Sequence, residues 1–222
     1  VISEVCLSLV LVAGAGLLAR SFWHLRFLDP GFRSDHVLVV DASFPNEERT
    51  SKVIPKYRDL LERVRTIPGV AAAGTTSNLP IEGFHPDGHF VIEGKQAQMG
   101  SADAGYVIVS PGYLKAMQIP LIRGRDFTNQ DSENSEPAAV ISQDLAREYF
   151  PGADPIGQRI WFDSFAPKEH WVTIVGIAGD VRQTSLTQKS TYSQAYVLYA
   201  QQQFPPTLAD GCGFATWGLA LS

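Results

Sequence analysis

The stretch Val1–Ala19 constrains this chain most strongly, because it is long, apolar and almost free of charge. Between Glu4 and Arg20 every residue is uncharged and most are aliphatic. A transmembrane helix needs about 20 apolar residues, whereas runs of about 10 to 14 are more typical of a core element or of a signal peptide. The length of the run falls between these classes, so we use its flanks and its internal pattern to distinguish a transmembrane helix from the other structures.

The flanks favour a membrane helix. Arg20 stands where a long cationic side chain can reach the lipid headgroups, and Phe22 and Trp23 stand where an aromatic belt is expected. The first residue is Val1 rather than a methionine, so we expect residues upstream that lengthen the span. We therefore predict a transmembrane helix and its exit over residues 1–26, with a lipid bilayer as its surroundings.

The same stretch fits a second interpretation, a nucleotide-binding turn. Gly14, Gly16 and Ala19 satisfy G-x-G-x-x-G/A directly after apolar residues, and Asp41 ends the next apolar run. A dinucleotide-binding oxidoreductase has this order of strand, glycine turn, helix and acidic residue. On a membrane helix, the same small residues would instead allow close contact with another helix. A cleavable signal peptide is a third possibility, although no positively charged n-region precedes the run.

Composition excludes several function classes. The net charge of -5 and the pI near 5.5 argue against nucleic acid as a partner, since phosphate binding needs clustered Lys and Arg. The two cysteines, Cys6 and Cys212, form no zinc or disulfide pattern. The sequence contains neither a phosphate-binding G-x-x-x-x-G-K-S/T loop nor a hydrolase G-x-S-x-G motif. We expect no catalytic, metal or cofactor residues, and hence a protein that is not an enzyme.

Three clusters could carry chemistry, and each is better explained structurally. Glu82, His85 and His89 include metal-ligand types but are few and lie in a Gly- and Pro-rich stretch, which predicts a polar surface loop. The sequence Asp180–Arg182 predicts a structural ion pair or turn. An aromatic group predicts core or strand-pair contacts, and its members are Trp161, Phe162, Phe165 and Trp171.

Hydrophobic patterning downstream predicts a helix-backed sheet. A β-rich run at 37–43, apolar residues at helical spacing over 57–64 and a second β-rich run at 70–76 form a strand–helix–strand unit. Composition then shifts toward Gly, Pro and polar residues, which indicates a second subdomain. Ser110 and Ser142 each predict the N-cap of a helix, and Asn129–Glu136 predicts an acidic surface loop. Further strands are predicted at 89–92, 106–109, 139–141, 160–162, 171–181 and 195–199.

Seven blocks resemble one family in order from Val1 to about Pro205. They are VISEVCLSLVLVAGAGLLARSF, DPGF, YRDLLERVRTIPGV, VSPGYLKAMQIPLIRGRDF, AVISQDLAREYFPGADPIGQRI, IVGIAGDVR and YVLYAQ. They are similar to the MacB-like periplasmic core domain of FtsX-like ABC transporter permeases, most closely the duplicated orphan permeases. The resemblance implies an α+β fold: an N-terminal transmembrane helix followed by an extracytoplasmic domain of two subdomains, one inserted in the other.

The resemblance also implies boundaries, place and partners. The core domain would cover 27–205, with a membrane-proximal subdomain at about 33–80 and 170–205 and an inserted subdomain at about 81–169. Residues from about 27 onward would lie in the periplasm, beyond the bacterial inner membrane. The implied partners are a cytoplasmic ATPase subunit, a second permease unit (a homodimer or an internal duplicate) and a periplasmic adaptor protein. The implied function is transmission of ATP-driven motion for export or extraction of an amphiphilic or peptide substrate.

The end of the chain departs from the family pattern. After Pro205 and Pro206 the family leads us to expect a β-rich stretch, but the sequence reads TLADGCGFATWGLALS. We interpret 206–222 as an atypical tail of the kind that a frameshift produces. This interpretation puts the closing strand of the membrane-proximal subdomain in doubt.

Overall fold

A long N-terminal helix, α1, covers Ile2–Arg26. The structure is a computed structural model and describes residues 1–26, 30–33, 35–43, 50–80, 87–94, 102–162, 170–182, 193–201 and 216–221. Within these residues, α1 is the one helix that is long and apolar enough to cross a membrane, and none of it is buried. Its exposed apolar side chains lie on all sides, as on a helix surrounded by lipid rather than on an amphipathic surface helix.

The nucleotide-binding interpretation of this stretch is wrong. It needs a strand before Gly14 and a turn at Gly16, but the helix runs without interruption through both glycines. Neither glycine has the positive φ that marks the tight turns elsewhere in the chain. Asp41 lies in a strand, Leu38–Ser43. The element before this strand is the long helix α1, and no strand–turn–helix unit is formed within Ile2–Arg26. The required site for a dinucleotide is therefore not formed.

The remaining elements alternate short helices with strands. The strands are β1 Leu38–Ser43, β2 Ala73–Thr76, β3 Asp87–Ile92, β4 Asp103–Val109, β5 Leu121–Gly124, β6 Ala138–Ser142, β7 Arg159–Phe162, β8 Val172–Ala178, β9 Gln194–Leu198 and β10 Thr216–Leu221. The helices are α2 Thr50–Arg65, α3 Tyr113–Ala116 and α4 Gln143–Tyr149. Most predicted elements are confirmed within a few residues, because their apolar periodicity matched the face that each one buries.

Six strands close into a ring. β4 pairs with β3, β3 with β7, β7 with β8, β8 with β6, β6 with β9, and β9 returns to β4. The β4–β9 and β6–β8 pairs are parallel and the other four are antiparallel. The main core lies among these strands, with Ile108, Val140 and Ile174 fully buried. We call these six strands the ring below.

A smaller antiparallel group, β1–β10–β2, joins the ring through a pairing of Thr76 with Val109. Its central strand is β10, so part of the tail that we interpreted as atypical forms the closing strand that the sequence put in doubt. Strands β8 and β9 hydrogen-bond within the ring, although the predicted boundaries assign them to the membrane-proximal subdomain. The family implies two subdomains, and their limits stay a prediction.

The two predicted N-caps have different outcomes. Ser142 caps α4 as predicted, since its Oγ accepts a hydrogen bond from the amide of Leu145 at 3.2 Å. Ser110 does not cap α3, because that helix begins after Gly112. The Oγ of Ser110 instead accepts a hydrogen bond from the amide of Thr75 at 2.8 Å. The Ser110 hydroxyl, which the sequence predicted to cap a helix, therefore satisfies a buried amide of β2 instead.

Candidate functional site at the exit of the N-terminal helix

The segment Pro30–Arg33, which follows α1, is held to the core domain from two sides. The amide of Arg182 donates a hydrogen bond to the carbonyl oxygen of Pro30 at 2.9 Å. The amide of Arg33 donates to the carbonyl oxygen of Met117 at 3.2 Å. Arg182 lies four residues after the end of β8, and Met117 directly follows α3, so backbone contacts attach the segment to the turn after β8 and to the end of α3. We call Pro30–Arg33 the exit segment.

Gly31 makes the closest approach within the exit segment. Its φ is +82°, and a Cβ at this position would lie 1.9 Å from the backbone oxygen of Asp180. Only glycine fits both requirements, since it tolerates positive φ and lets two backbones meet. Phe32, the next residue, packs against the main core. The turn predicted from Asp29–Phe32 is therefore a contact with the domain as well as a change of direction.

The side chain of Asp180 connects the exit segment to helix α4. Its Oδ1 accepts a hydrogen bond from the amide of Asp144 at 2.6 Å, and its Oδ2 accepts one from Arg147 at 2.9 Å. Arg147 also pairs with the carboxylate of Asp144. Burial raises the pKa of the Asp180 carboxyl, against the hydrogen bond from the Asp144 amide and the charge of Arg147. The exit segment, β8 and α4 thus meet at one residue.

The described contacts attach the exit segment to the folded domain. Two backbone hydrogen bonds and the close approach of Gly31 to Asp180 join it to the turn after β8 and to the end of α3. Arg147 pairs with Asp144 and Asp180 and also lines an open cleft beside α4. Among the described residues, no group of three or more His, Cys, Asp or Glu side chains could hold a metal ion. The geometry is that of a structural attachment between the exit segment and the ring.

The residues predicted to face lipid or another helix all lie on α1. Phe22 and Trp23 are 61% and 57% exposed, and Arg20 is also exposed. Gly16 and Ala19 lie one turn apart on one side of the helix, whereas Gly14 lies on a different side, because residues two apart do not face each other. Contact of these residues with lipid or with a second helix stays a prediction.

The other candidate clusters are structural wherever they are described. His89 pairs with Asp103 at 2.5 Å on the surface of β3 and β4, while Glu82 and His85 lie outside the described residues. The predicted ion pair at Asp180 is confirmed by its contact with Arg147.

The predicted aromatic contacts are also confirmed for the members that are described. Trp161 and Trp171 form a cross-strand pair with ring centroids 6.0 Å apart. Phe162 is buried and packs edge-on against Tyr106. Phe165 lies outside the described residues.

A family comparison covers nearly the whole chain. The sequence profile of the MacB-like periplasmic core domain matches residues 7–210. The chain belongs to this family. It is therefore the MacB-like periplasmic domain of an ABC-type transporter permease, preceded by a candidate transmembrane helix. None of the curated proteins matches the sequence.

Three solved structures are similar to this chain. The periplasmic region of MacB from Actinobacillus actinomycetemcomitans has a TM-score of 0.50 at 12% identity, covering 86% of this chain and 76% of its own. A domain of a putative permease from Porphyromonas gingivalis gives 0.49 at 16% identity, covering 86% and 76%. The extracellular domain of the noncanonic ABC-type transporter YknZ from Gram-positive bacteria gives 0.47 at 15% identity, covering 84% and 83%. At such identities the MacB likeness shows a shared fold.

The contact between Gly31 and Asp180 was missed by sequence reasoning. Both residues belong to blocks that resemble the family, and Pro30–Gly31 was recognised as a turn. What the sequence lacked was any signal that two segments so far apart meet. A Gly after Pro predicts a positive φ, but the partner that requires a missing Cβ is visible only in three dimensions.

Proposed function

We propose that this MacB-like domain receives ATP-driven motion from its membrane helix through the exit segment. In this proposal α1 crosses the bacterial inner membrane, and residues from about 27 onward lie in the periplasm. The observation that carries it is the double backbone attachment of Pro30–Arg33 to Arg182 and Met117. In the proposal, a shift of α1 reaches the exit segment, and these two hydrogen bonds pass it to the turn after β8 and to the end of α3.

The proposed partners follow from the family. A cytoplasmic ATPase on a separate chain would supply the motion, and a second permease unit, either a second copy or an internal duplicate, would complete the membrane part. A periplasmic adaptor protein is a further proposed partner. The proposed cargo is an amphiphile, a lipoprotein or a peptide that is exported or extracted. The domain itself would be non-catalytic, as the paired charges at the exit segment support.

The membrane position of α1 is tested by fractionation. The protein, expressed with its native upstream residues, should stay in the membrane pellet after an alkaline carbonate wash, since α1 is apolar on all sides. Release of the protein into the soluble fraction would overturn the proposal.

Transmission is tested by a distance measurement in native membranes that contain the partner ATPase. In a protein that lacks Cys6 and Cys212, spin labels at Leu18→Cys on α1 and Asn134→Cys beside the ring report the distance between helix and domain. We expect MgATP to shift this distance in the protein with Gly31 intact and to leave it unchanged or broadened in Gly31→Ala. Gly94→Ala is the matched control, because Gly94 has φ +83° but no described atom near its Cβ position. An identical MgATP shift in Gly31→Ala would contradict transmission through this contact.

A further inference from the structure

An open cleft lies beside Arg33, the last residue of the exit segment. It has a volume of about 680 Å³, and its lining residues are Arg33, Asp35, His36, Ala71, Lys115 and Gln118. The amide of Arg33 is fixed to Met117 at the end of α3, so Arg33 and Lys115 are brought to the same cleft from distant parts of the chain. The cleft is thus built by the fold and is not a feature of one loop.

The two cations of this cleft differ from several other described cations of the domain in their partners. Five arginines each pair with a carboxylate, and they are Arg63, Arg123, Arg125, Arg147 and Arg159. Within the described part of the chain, the side chains of Arg33 and Lys115 have no ion pair, and both are exposed. Asp35 is the one carboxylate among the lining residues of the cleft, so Arg33 and Lys115 leave the cleft with an excess of positive charge. In a protein of net charge -5, such a local excess favours the binding of an anion.

The backbone at the cleft is also unusual. Among the described residues, His36 and Gln118 are the two non-glycine residues with positive φ, at +63° and +52°. Both line the cleft, and the Gln118 side-chain amide reaches the carbonyl oxygen of Asp35 at 3.4 Å. Such conformations carry a cost and collect at binding sites. In this cleft, His36 and Gln118 lie beside the two cations. Both of these side chains are able to donate hydrogen bonds.

The distance from the cleft to the end of α1 indicates which class of anion could bind. From Arg26, where α1 ends, to Arg33 the chain spans at most about 25 Å even when fully extended. If α1 lies in the membrane as proposed above, the cleft is within reach of the lipid headgroups. We propose that this cleft binds the phosphate of an anionic phospholipid, such as phosphatidylglycerol, in the outer leaflet of the membrane. The inference rests on the proposed membrane position of α1.

The test uses the full chain in nanodiscs of phosphatidylcholine with increasing phosphatidylglycerol, read by hydrogen exchange of residues 30–38 and 113–120. Phosphatidylglycerol should slow exchange in both segments. Arg33→Gln and Lys115→Gln should each raise the amount of phosphatidylglycerol needed by about fivefold. Arg58→Gln, which removes another exposed cation, is the control and should leave the titration unchanged. Inorganic phosphate added to phosphatidylcholine nanodiscs should give no protection at millimolar concentration.

The outcomes separate the two proposals. Incorporation into nanodiscs without phosphatidylglycerol-dependent protection, or equal protection in Arg33→Gln and the wild type, overturns the lipid site and leaves the membrane position intact. Protection by inorganic phosphate alone overturns the lipid as ligand. Failure of the wild-type chain to co-purify with nanodiscs overturns the membrane position of α1, and the lipid site with it.

Discussion

Gly31 meets the backbone oxygen of Asp180 so closely that a Cβ on the glycine would lie 1.9 Å from that oxygen. This contact fixes the exit of the N-terminal helix to the end of β8. Asp180 in turn holds α4 through the Asp144 amide and the Arg147 side chain. Two turns that are far apart in sequence therefore form one connection, and it lies a few residues beyond the end of the candidate transmembrane helix.

Gly31→Ala should destabilise the domain more than an ordinary glycine substitution. A left-handed alanine costs about 1 to 2 kcal/mol, and forcing an extra methyl group into a packed contact adds about 1 to 3 kcal/mol. Gly94→Ala should show the first cost alone, because no atom of the described residues lies within 4 Å of its Cβ position. Urea unfolding of both variants in detergent, followed by tryptophan fluorescence, measures the difference. Equal destabilisation would contradict the close contact at Gly31.

Asp131→Asn should cost about 2 to 3 kcal/mol at neutral pH, since it removes charged hydrogen bonds at a buried group. The Asp131 carboxylate accepts hydrogen bonds from both terminal nitrogens of Arg125 and from the amide of Thr128, each at 2.8 Å. The matched control is Glu93→Gln, which breaks an exposed ion pair with Arg159 and should change stability little. Equal losses in the two variants would show that burial of Asp131 does not matter.

The same residue predicts a dependence on pH. Burial alone would raise the pKa of Asp131, but the hydrogen bonds from Arg125 and Thr128 outweigh it and lower that pKa below its ordinary value. A lowered folded pKa gives stability that is present above the unfolded pKa of about 3.9 and is lost as the pH falls through the folded value. The difference in stability between wild type and Asp131→Asn should therefore shrink below about pH 4. A constant difference down to pH 2 would contradict the lowered pKa.

Ser142→Ala should destabilise the ring by about 1 to 3 kcal/mol, because it leaves buried donors without a partner. Its Oγ accepts hydrogen bonds from the amides of Leu145 and Gln194, at 3.2 and 3.0 Å. Thr66→Ala is the control, since it removes an exposed hydroxyl that donates a hydrogen bond to the carbonyl oxygen of Arg63. Thermal unfolding should separate the two variants by several degrees, and coincident curves would contradict this role of Ser142.

Local patterns predicted the elements of this fold, and they failed where a distant partner decides a residue's role. The helix over Tyr57–Val64 and the cap at Ser142 follow from spacing and side-chain chemistry, and both are present. Ser110 fits the start of a helix equally well, but its hydroxyl is taken by β2. Asp131 was predicted to lie in a surface loop and is 8% exposed, because Arg125 folds back over it.

The two interpretations of Val1–Ala19 also show that a local motif does not decide a structure by itself. The pattern G-x-G-x-x-A is a chemical signal only when a strand precedes it, and here the helix continues through it. The contact between Gly31 and Asp180 could not be predicted from the sequence. Each residue lies in a sequence typical of an ordinary turn, and their contact is formed only in the folded chain.

We propose that the core domain lies outside the cytoplasm on a membrane-embedded α1. Labelling of Asn134→Cys with a membrane-impermeant maleimide in intact bacterial spheroplasts tests this position, in a protein lacking Cys6 and Cys212. Asn134 is exposed, so access should depend on the side of the membrane alone. We predict full labelling without lysis, with the labelled protein retained in the carbonate-washed membrane pellet. Labelling that appears only after lysis would contradict the account.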